Sequence, residues 1–184
     1  MKSPSIAGGA RAIEAYIRAK DENLPSLMER AFDQDATLRM VVRSDAISFP
    51  PIANGREAIT AVLVREFGRT YENVRTLCFG SPPGSSDEHF SCSWLVGMSA
   101  KDGGVIRVGC GRYNWSFRAH APRLATRLEI TIDVVQVLAA NNLSAVRNWL
   151  FALPYPWCPI QTAFEAAPQL EPLESIRQWA RENA

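Results

Sequence analysis

The spacing of apolar residues predicts two helices near the start of the chain. Ile13, Tyr16 and Ile17 recur at the i, i+3, i+4 spacing of a helix over residues 10–21. Asn23 is a residue type that caps helices, and Pro25 suits the first turn of a second helix after it. Each helix has one apolar side, so we expect both to cover another layer of structure.

The next segment predicts a strand, a corner and a third helix. Residues 36–42 and the shorter run 46–49 have strand-like patterns, separated by a polar break at 43–45. Pro50 and Pro51 lack backbone donors, so the chain must leave the sheet there or lie on its edge. Asn54 and Glu57 have the spacing of a capping box, which predicts a helix as far as residue 70.

Four longer strand-like runs follow, at residues 73–79, 89–99, 105–117 and 127–138. Short links rich in Pro and Gly join them, which indicates an antiparallel meander. Gly97, Gly109 and Gly111 lie inside these runs, where glycine often marks a bulge or bend. The pattern predicts an α+β cone in which N-terminal helices pack on a strongly curved antiparallel sheet.

The last part of the chain has a different composition. Residues 143–153 can form a helix, and five of the twelve prolines lie between Pro154 and Pro172. Leu173, Ile176 and Trp179 then have helical spacing. We therefore predict a cone domain over residues 1–153 and a proline-rich extension with a terminal helix over residues 154–184.

Composition excludes several classes of function. The 184 residues are 47% hydrophobic and 21% charged, with a formal net charge of +1, which is unlike a nucleic-acid-binding surface. No apolar stretch is long enough for a membrane span or a secretory signal, so we expect a cytoplasmic protein without membrane partners. The four cysteines form no closely spaced pair, and no cofactor motif is present, so neither a metal nor a cofactor is predicted.

The order of these elements resembles the nuclear-transport-factor-2-like superfamily, which includes ketosteroid isomerases and SnoaL-like polyketide cyclases. The segments "AYIRAKDENLPSLMERAF", "QDATLRM" and "PPIANGREAI" are the most similar to ketosteroid isomerase. The resemblance covers residues 10–138. It implies a cystatin-like cone with a deep apolar pocket between the sheet and the first helices.

The same resemblance implies a set of catalytic positions, most of which are altered here. Tyr16 matches the tyrosine that donates to the substrate oxygen, but Met40 stands where the carboxylate base is expected. Gly109 and Cys110 are nearest to the position of the neutral acid. The chain therefore lacks the ketosteroid isomerase carboxylates, and the SnoaL-like grouping describes it better. This grouping implies a small hydrophobic ligand and an isomerase, cyclase or dehydratase type of reaction.

Two residues are the candidates for catalysis. Tyr16 would donate a hydrogen bond to a ligand oxygen, the alternative being a core tyrosine. Asp45 would act as general base if its loop turns inward, the alternative being a surface turn residue. The expected pocket lining follows from the apolar strand faces, although alternation leaves open which face of the third meander strand lines the pocket. The predicted lining residues are Met40, Phe49, Trp94, Cys110, Arg112 and Trp115.

The C-terminal half supports an alternative hypothesis. The segments "SWLVGMS", "VGCGRYNWSFR" and "IDVVQVLAANNLSAVRNWL" resemble the small subunit of aromatic-ring-hydroxylating dioxygenases. That resemblance implies a non-catalytic assembly subunit that buries its sheet face and tail against a larger partner. On the first hypothesis, a closed homodimer is the expected assembly.

Overall fold

The computed structural model describes residues 8–183. The first helix, α1, spans Gly9–Asp21 and buries one face, as its spacing predicts. The predicted second helix is instead a 3-10 helix over Pro25–Arg30. Asn23 does not cap it, because this residue has a left-handed backbone (φ 52°) and lies in the turn that ends α1.

Seven strands form one mixed sheet. Their spatial order is β2-β1-β6-β5-β4-β3-β7. The strands are β1 (Phe32–Val42), β2 (Ile52–Asn54), β3 (Tyr71–Phe79), β4 (His89–Ala100), β5 (Ile106–Phe117), β6 (Ala125–Leu138) and β7 (Trp157–Cys158).

The predicted meander is confirmed in β3 to β6, which pair antiparallel in chain order. The pairing register shifts between Cys110 and Gly111 on β5, and such irregularities bend and twist a sheet. Two outer pairings are parallel, β1 with β6 and β7 with β3. The predicted α+β fold with helices on a curved sheet is therefore confirmed, with parallel pairs added toward both edges.

The proline corner differs in detail from the prediction. A strand at 46–49 is wrong, because residues 43–51 contain no strand and β2 begins only after the prolines. The capping box is also absent. Gly55 is the N-cap (φ 87°), Asn54 is paired to Thr37 within the sheet, and Glu57 forms an ion pair with Arg65.

A continuous helical segment follows this corner. It comprises α2 (Arg56–Thr60), a π-helical turn (Ala61–Glu66) and α3 (Phe67–Thr70). Together with α1 it covers one face of the sheet. This face contains the larger hydrophobic core, in which Ile13, Ile17 and Leu63 are buried.

The opposite face of the sheet is covered by the C-terminal part of the same chain. Helices α4 (Leu143–Ala152), α5 (Ile160–Glu165) and α6 (Glu174–Asn183) share a second core with the sheet. Trp149 and Trp179 are buried there. At β7 the chain reaches the face of the sheet that α1 covers, and Trp157 Nε1 donates there to Glu14 of α1 at 2.9 Å. None of the described helices combines the length and apolarity needed to cross a membrane.

Candidate functional site

An apolar cavity of about 50 Å³ lies inside the cone, between α1, α3 and the sheet. Most of its wall is aliphatic or aromatic, and only a few of the lining side chains have polar groups. The lining residues are Tyr16, Lys20, Met40, Ile47, Phe49, Leu63, Phe67, Trp94, Val96, Met98, Gly109, Tyr113, Ile130, Ile132 and Val135.

A buried polar network lies beside the cavity. Lys20 is 7% exposed, and its ammonium donates to Asp21 Oδ1 at 2.9 Å and to Thr76 Oγ1 at 2.6 Å. Thr76 in turn donates its hydroxyl to Asp21 Oδ1 and its backbone N–H to Asp21 Oδ2, both at 2.7 Å. Tyr155 donates to Asp21 Oδ2 at 3.1 Å. The buried positive and negative charges are thus paired and hydrogen-bonded, as burial requires.

Two phenols line the cavity close to this network. The rings of Tyr16 and Tyr113 are 6.0 Å apart and nearly perpendicular. Burial raises the pKa of Tyr16, although the Tyr113 hydroxyl partly offsets this by hydrogen bonding to it. The pKa of Tyr113 is also raised, mainly by burial. Both phenols therefore keep their protons near neutral pH and act as neutral hydrogen-bond donors.

The cavity mouth is closed by the loop at residues 43–51. Ile47 and Phe49 of this loop, with Phe67 of α3, line both the cavity and an outer groove of about 420 Å³. These side chains therefore separate the inner space from the groove. One anchor of the loop is Arg107, whose Nε donates to the Ala46 carbonyl at 3.0 Å.

Four of the predicted site residues, the catalytic candidate Tyr16 and three of the lining residues, come together in the cavity wall. Tyr16 of α1, Met40 of β1, Phe49 of the loop and Trp94 of β4 all border the same space. The indole N–H of Trp94 is buried and has no hydrogen-bond partner in the part of the chain that the structure describes. An unsatisfied buried donor is uncommon in proteins, which makes this group notable beside a cavity.

The other predicted site residues lie elsewhere. Cys110 is on the opposite face of β5, buried in the second core, and Arg112 on that side is exposed and donates to Asn183 at 2.8 Å. Alternation along β5 causes this, because Tyr113 takes the cavity side. Trp115 is in the first core, with its ring 5.5 Å from that of Tyr16, but does not border the cavity. Asp45 is exposed and borders the outer groove.

Sequence reasoning missed Lys20, Asp21 and Tyr113. Lys20 follows Tyr16 by four residues, so it lies on the apolar face of α1, and a lysine on such a face is a signal for a buried role. The partners of Asp21 come from Thr76 and Tyr155, which lie 55 and 134 positions away in the chain. No local pattern indicates such distant contacts.

The site offers hydrogen-bond donors in an apolar space. The four hydrogen bonds from Lys20, Thr76 and Tyr155 are all donated to the two carboxylate oxygens of Asp21, so that group is already satisfied. Within residues 8–183, no group of three or more His, Cys, Asp or Glu side chains is arranged to hold a metal ion.

Comparison with solved structures shows what this architecture is similar to. A nuclear-transport-factor-2-like superfamily protein from Salmonella enterica superposes with a TM-score of 0.53 at 13% identity, over 68% of this chain and 88% of that one. A Mycobacterium tuberculosis protein, solved in complex with estradiol-17β-hemisuccinate, gives 0.53 at 15% identity over 66% and 91% of the two chains.

A hexachlorocyclohexane dehydrochlorinase of type 2 gives a TM-score of 0.55 at 9% identity, over 70% of this chain and 85% of that one. No family model matches the sequence, and no curated protein matches it. At these identities the similarity shows the fold, which is nuclear-transport-factor-2-like. Dioxygenase small subunits are not among the similar structures described here.

Proposed function

We propose that the protein binds a small, apolar, oxygen-bearing molecule in the inner cavity, in the manner of SnoaL-like proteins. The observation that carries the proposal is the cavity itself, an apolar space bordered by the protonated phenol of Tyr16 and the ammonium of Lys20. A mostly apolar wall with a few placed polar groups is typical of ligand sites. The fold is shared with a protein solved with estradiol-17β-hemisuccinate.

The size of the cavity determines how a ligand would be held. A space of about 50 Å³ is small beside the roughly 300–1,000 Å³ of drug-sized ligand sites. The groove of about 420 Å³ outside Ile47 and Phe49 provides the additional room. The oxygen-bearing end of the ligand therefore enters the cavity. The body of the ligand displaces the side chains of Ile47 and Phe49 and extends into the groove.

A reaction in this site would be proton transfer next to the bound oxygen, as in isomerisation, cyclisation or dehydration. Tyr16 donates to the oxygen and stabilises negative charge that develops on it. Met40 borders the cavity. The sequence resemblance puts Met40 where ketosteroid isomerases have their carboxylate base, so that mechanism is not proposed. Asp45 borders the groove, so it would act as base only on a carbon of the ligand held there.

The alternative, an assembly subunit like the dioxygenase small subunit, has less support. The outer sheet face that such a partner would use is covered by α4, α5 and α6 of the same chain. Both the homodimer and the cytoplasmic location remain predictions, and light scattering on the purified protein tests the first.

Native mass spectrometry of the purified protein, with the variant Gly109→Ala, tests the proposed function. Gly109 borders the cavity, and a methyl group there would lie 3.3 Å from Val135 Cγ2, so the substitution reduces the cavity at little cost. We expect a retained small molecule, or binding of added ketones, in the wild type and weaker binding in the variant. Equal binding by both proteins would place the ligand elsewhere and overturn the proposal.

A further inference from the structure

Lys20 is the charged side chain that borders the cavity, and its hydrogen bonds leave one position open. An ammonium has three N–H groups. Two donate to Asp21 and Thr76, and the nitrogen lies 5.0 Å from the centroid of Phe67, which also borders the cavity. Within residues 8–183, the third N–H thus has a ring face nearby and no oxygen partner.

Asp21 holds Lys20 in place and has no further role as an acceptor. Lys20 and the Thr76 hydroxyl donate to Oδ1, while the Thr76 backbone and Tyr155 donate to Oδ2. A carboxylate bound on both oxygens is fixed in orientation. The direction of the ammonium is therefore determined by strand β3 and by the C-terminal segment.

Tyr155, which lies in the C-terminal segment, is itself fixed. The guanidinium of Arg75 stacks on its ring at 3.7 Å, and the backbone around Tyr155 is tied to β3, where Cys78 N donates to the Pro156 carbonyl at 2.6 Å. The hydroxyl of Tyr155 thus links the extension to Asp21, the carboxylate that binds Lys20 beside the cavity. The chain segment that covers the outer face also completes the inner site.

The geometry points to Lys20 as a second donor, beside Tyr16, to the acceptor atom of the ligand, with Asp21 and Tyr155 as the residues that position its ammonium. This inference rests on the proposed function. The paired charges of Lys20 and Asp21 cancel, so a buried anion would remain uncompensated. The ligand class that fits is an uncharged molecule with an acceptor oxygen, such as a ketone, at its buried end.

The test compares two probes of the same shape, cyclohexanone and methylenecyclohexane, which differ in having or lacking the acceptor oxygen. Binding is measured by NMR titration of the indole N–H resonances, with Trp94→Phe identifying the reporter in the cavity wall. Relative to the alkene, we expect the ketone to bind roughly tenfold more tightly in the wild type, as for a hydrogen bond to a charged group. The ratio should fall in Lys20→Met, which leaves Tyr16 as the remaining donor.

The positioning role is tested with Tyr155→Phe, which removes only the hydroxyl that donates to Asp21. We expect an intermediate ketone-to-alkene ratio and unchanged alkene binding. Glu14→Ala is the matched control, because it removes another hydrogen bond between the extension and α1, that from Trp157, without touching Asp21. This control should retain the wild-type ratio.

The outcomes distinguish this inference from the proposed function. If neither probe binds the wild type, the proposed function fails and the inference with it. If the wild type prefers the ketone and Lys20→Met keeps the same ratio, the cavity binds the oxygen without Lys20, and the inference alone fails. If the wild type binds both probes equally well, the buried oxygen of the proposed function fails as well. Should Lys20→Met not fold, because Asp21 is left unpaired, an unchanged ratio in Tyr155→Phe would still overturn the positioning role.

Discussion

Gly109 and Gly111 lie two residues apart on β5, yet an added methyl group would meet very different surroundings at the two positions. At Gly111 it would lie 1.9 Å from the Thr131 carbonyl oxygen, beside the register shift that bends the strand. Backbone cannot move aside as a side-chain tip can. At Gly109 the nearest atom is 3.3 Å away.

We therefore expect Gly111→Ala to lower the free energy of unfolding by about 3 kcal/mol, the upper range for overpacking a core. Gly109→Ala is the matched control and should cost less than about 1 kcal/mol. Urea denaturation of both variants measures the difference. Similar values for the two would show that the bulge has room to relax.

A second residue-scale prediction concerns Asp33, which accepts a hydrogen bond from Arg118. This hydrogen bond lowers the pKa of the Asp33 carboxyl below its ordinary value. The Asp33 carboxylate therefore contributes fully to protein stability above its unfolded-state pKa of about 3.9. This contribution is lost as the pH falls through the lower pKa that Asp33 has in the folded state. In Asp33→Asn, the stability deficit relative to wild type should be constant near neutral pH and shrink below about pH 4. A deficit independent of pH would contradict this.

At the scale of elements, the sequence predicted those helices and strands whose residues follow a local hydrophobic period. The meander strands and α1 follow from alternation and helical spacing, whereas Tyr16 became a candidate through the resemblance to ketosteroid isomerase. The strand predicted at 46–49 was wrong. Ile47 and Phe49 are apolar because they border the cavity, and their backbone does not pair in the sheet. A short apolar run indicates burial without indicating what it covers.

The loop at 43–51 allows a prediction about ligand entry. Phe49 borders both the cavity and the groove, so Phe49→Ala should join the two spaces. We expect the association rate of cyclohexanone to rise several-fold and the bound state to persist for a shorter time. Relaxation-dispersion NMR measures both rates. Ile52→Ala, at a side chain that is 60% exposed on β2, is the control and should change neither rate.

At the scale of the whole molecule, the sequence predicts a C-terminal extension but does not indicate where it packs. Trp179 and Ile176 of its terminal helix contribute to the core on the outer sheet face. Contacts such as Trp179 Nε1 with Asp133, at 3.0 Å, join positions 46 residues apart. The amphipathic terminal helix indicated that it would pack, but not on which surface.

This shared core predicts that the chain unfolds as one unit. Trp179→Ala should lower the free energy of unfolding of the entire protein by about 3–5 kcal/mol. Near-ultraviolet circular dichroism and a fluorescent label at the C-terminus should report the same midpoint in the wild type. Two separate transitions would instead support an extension at 154–184 that folds independently of the cone.

The two edge strands of the sheet also bear on how the protein behaves in concentrated solution. Unpaired strand edges can template the stacking of further chains into fibrils. One edge strand of this sheet, β2, is three residues long and follows Pro50 and Pro51. The other edge strand, β7, is two residues long and lies between Pro156 and Pro159. Proline lacks the N–H that an incoming strand would need. The corner and the extension thus protect the sheet at both ends against aggregation.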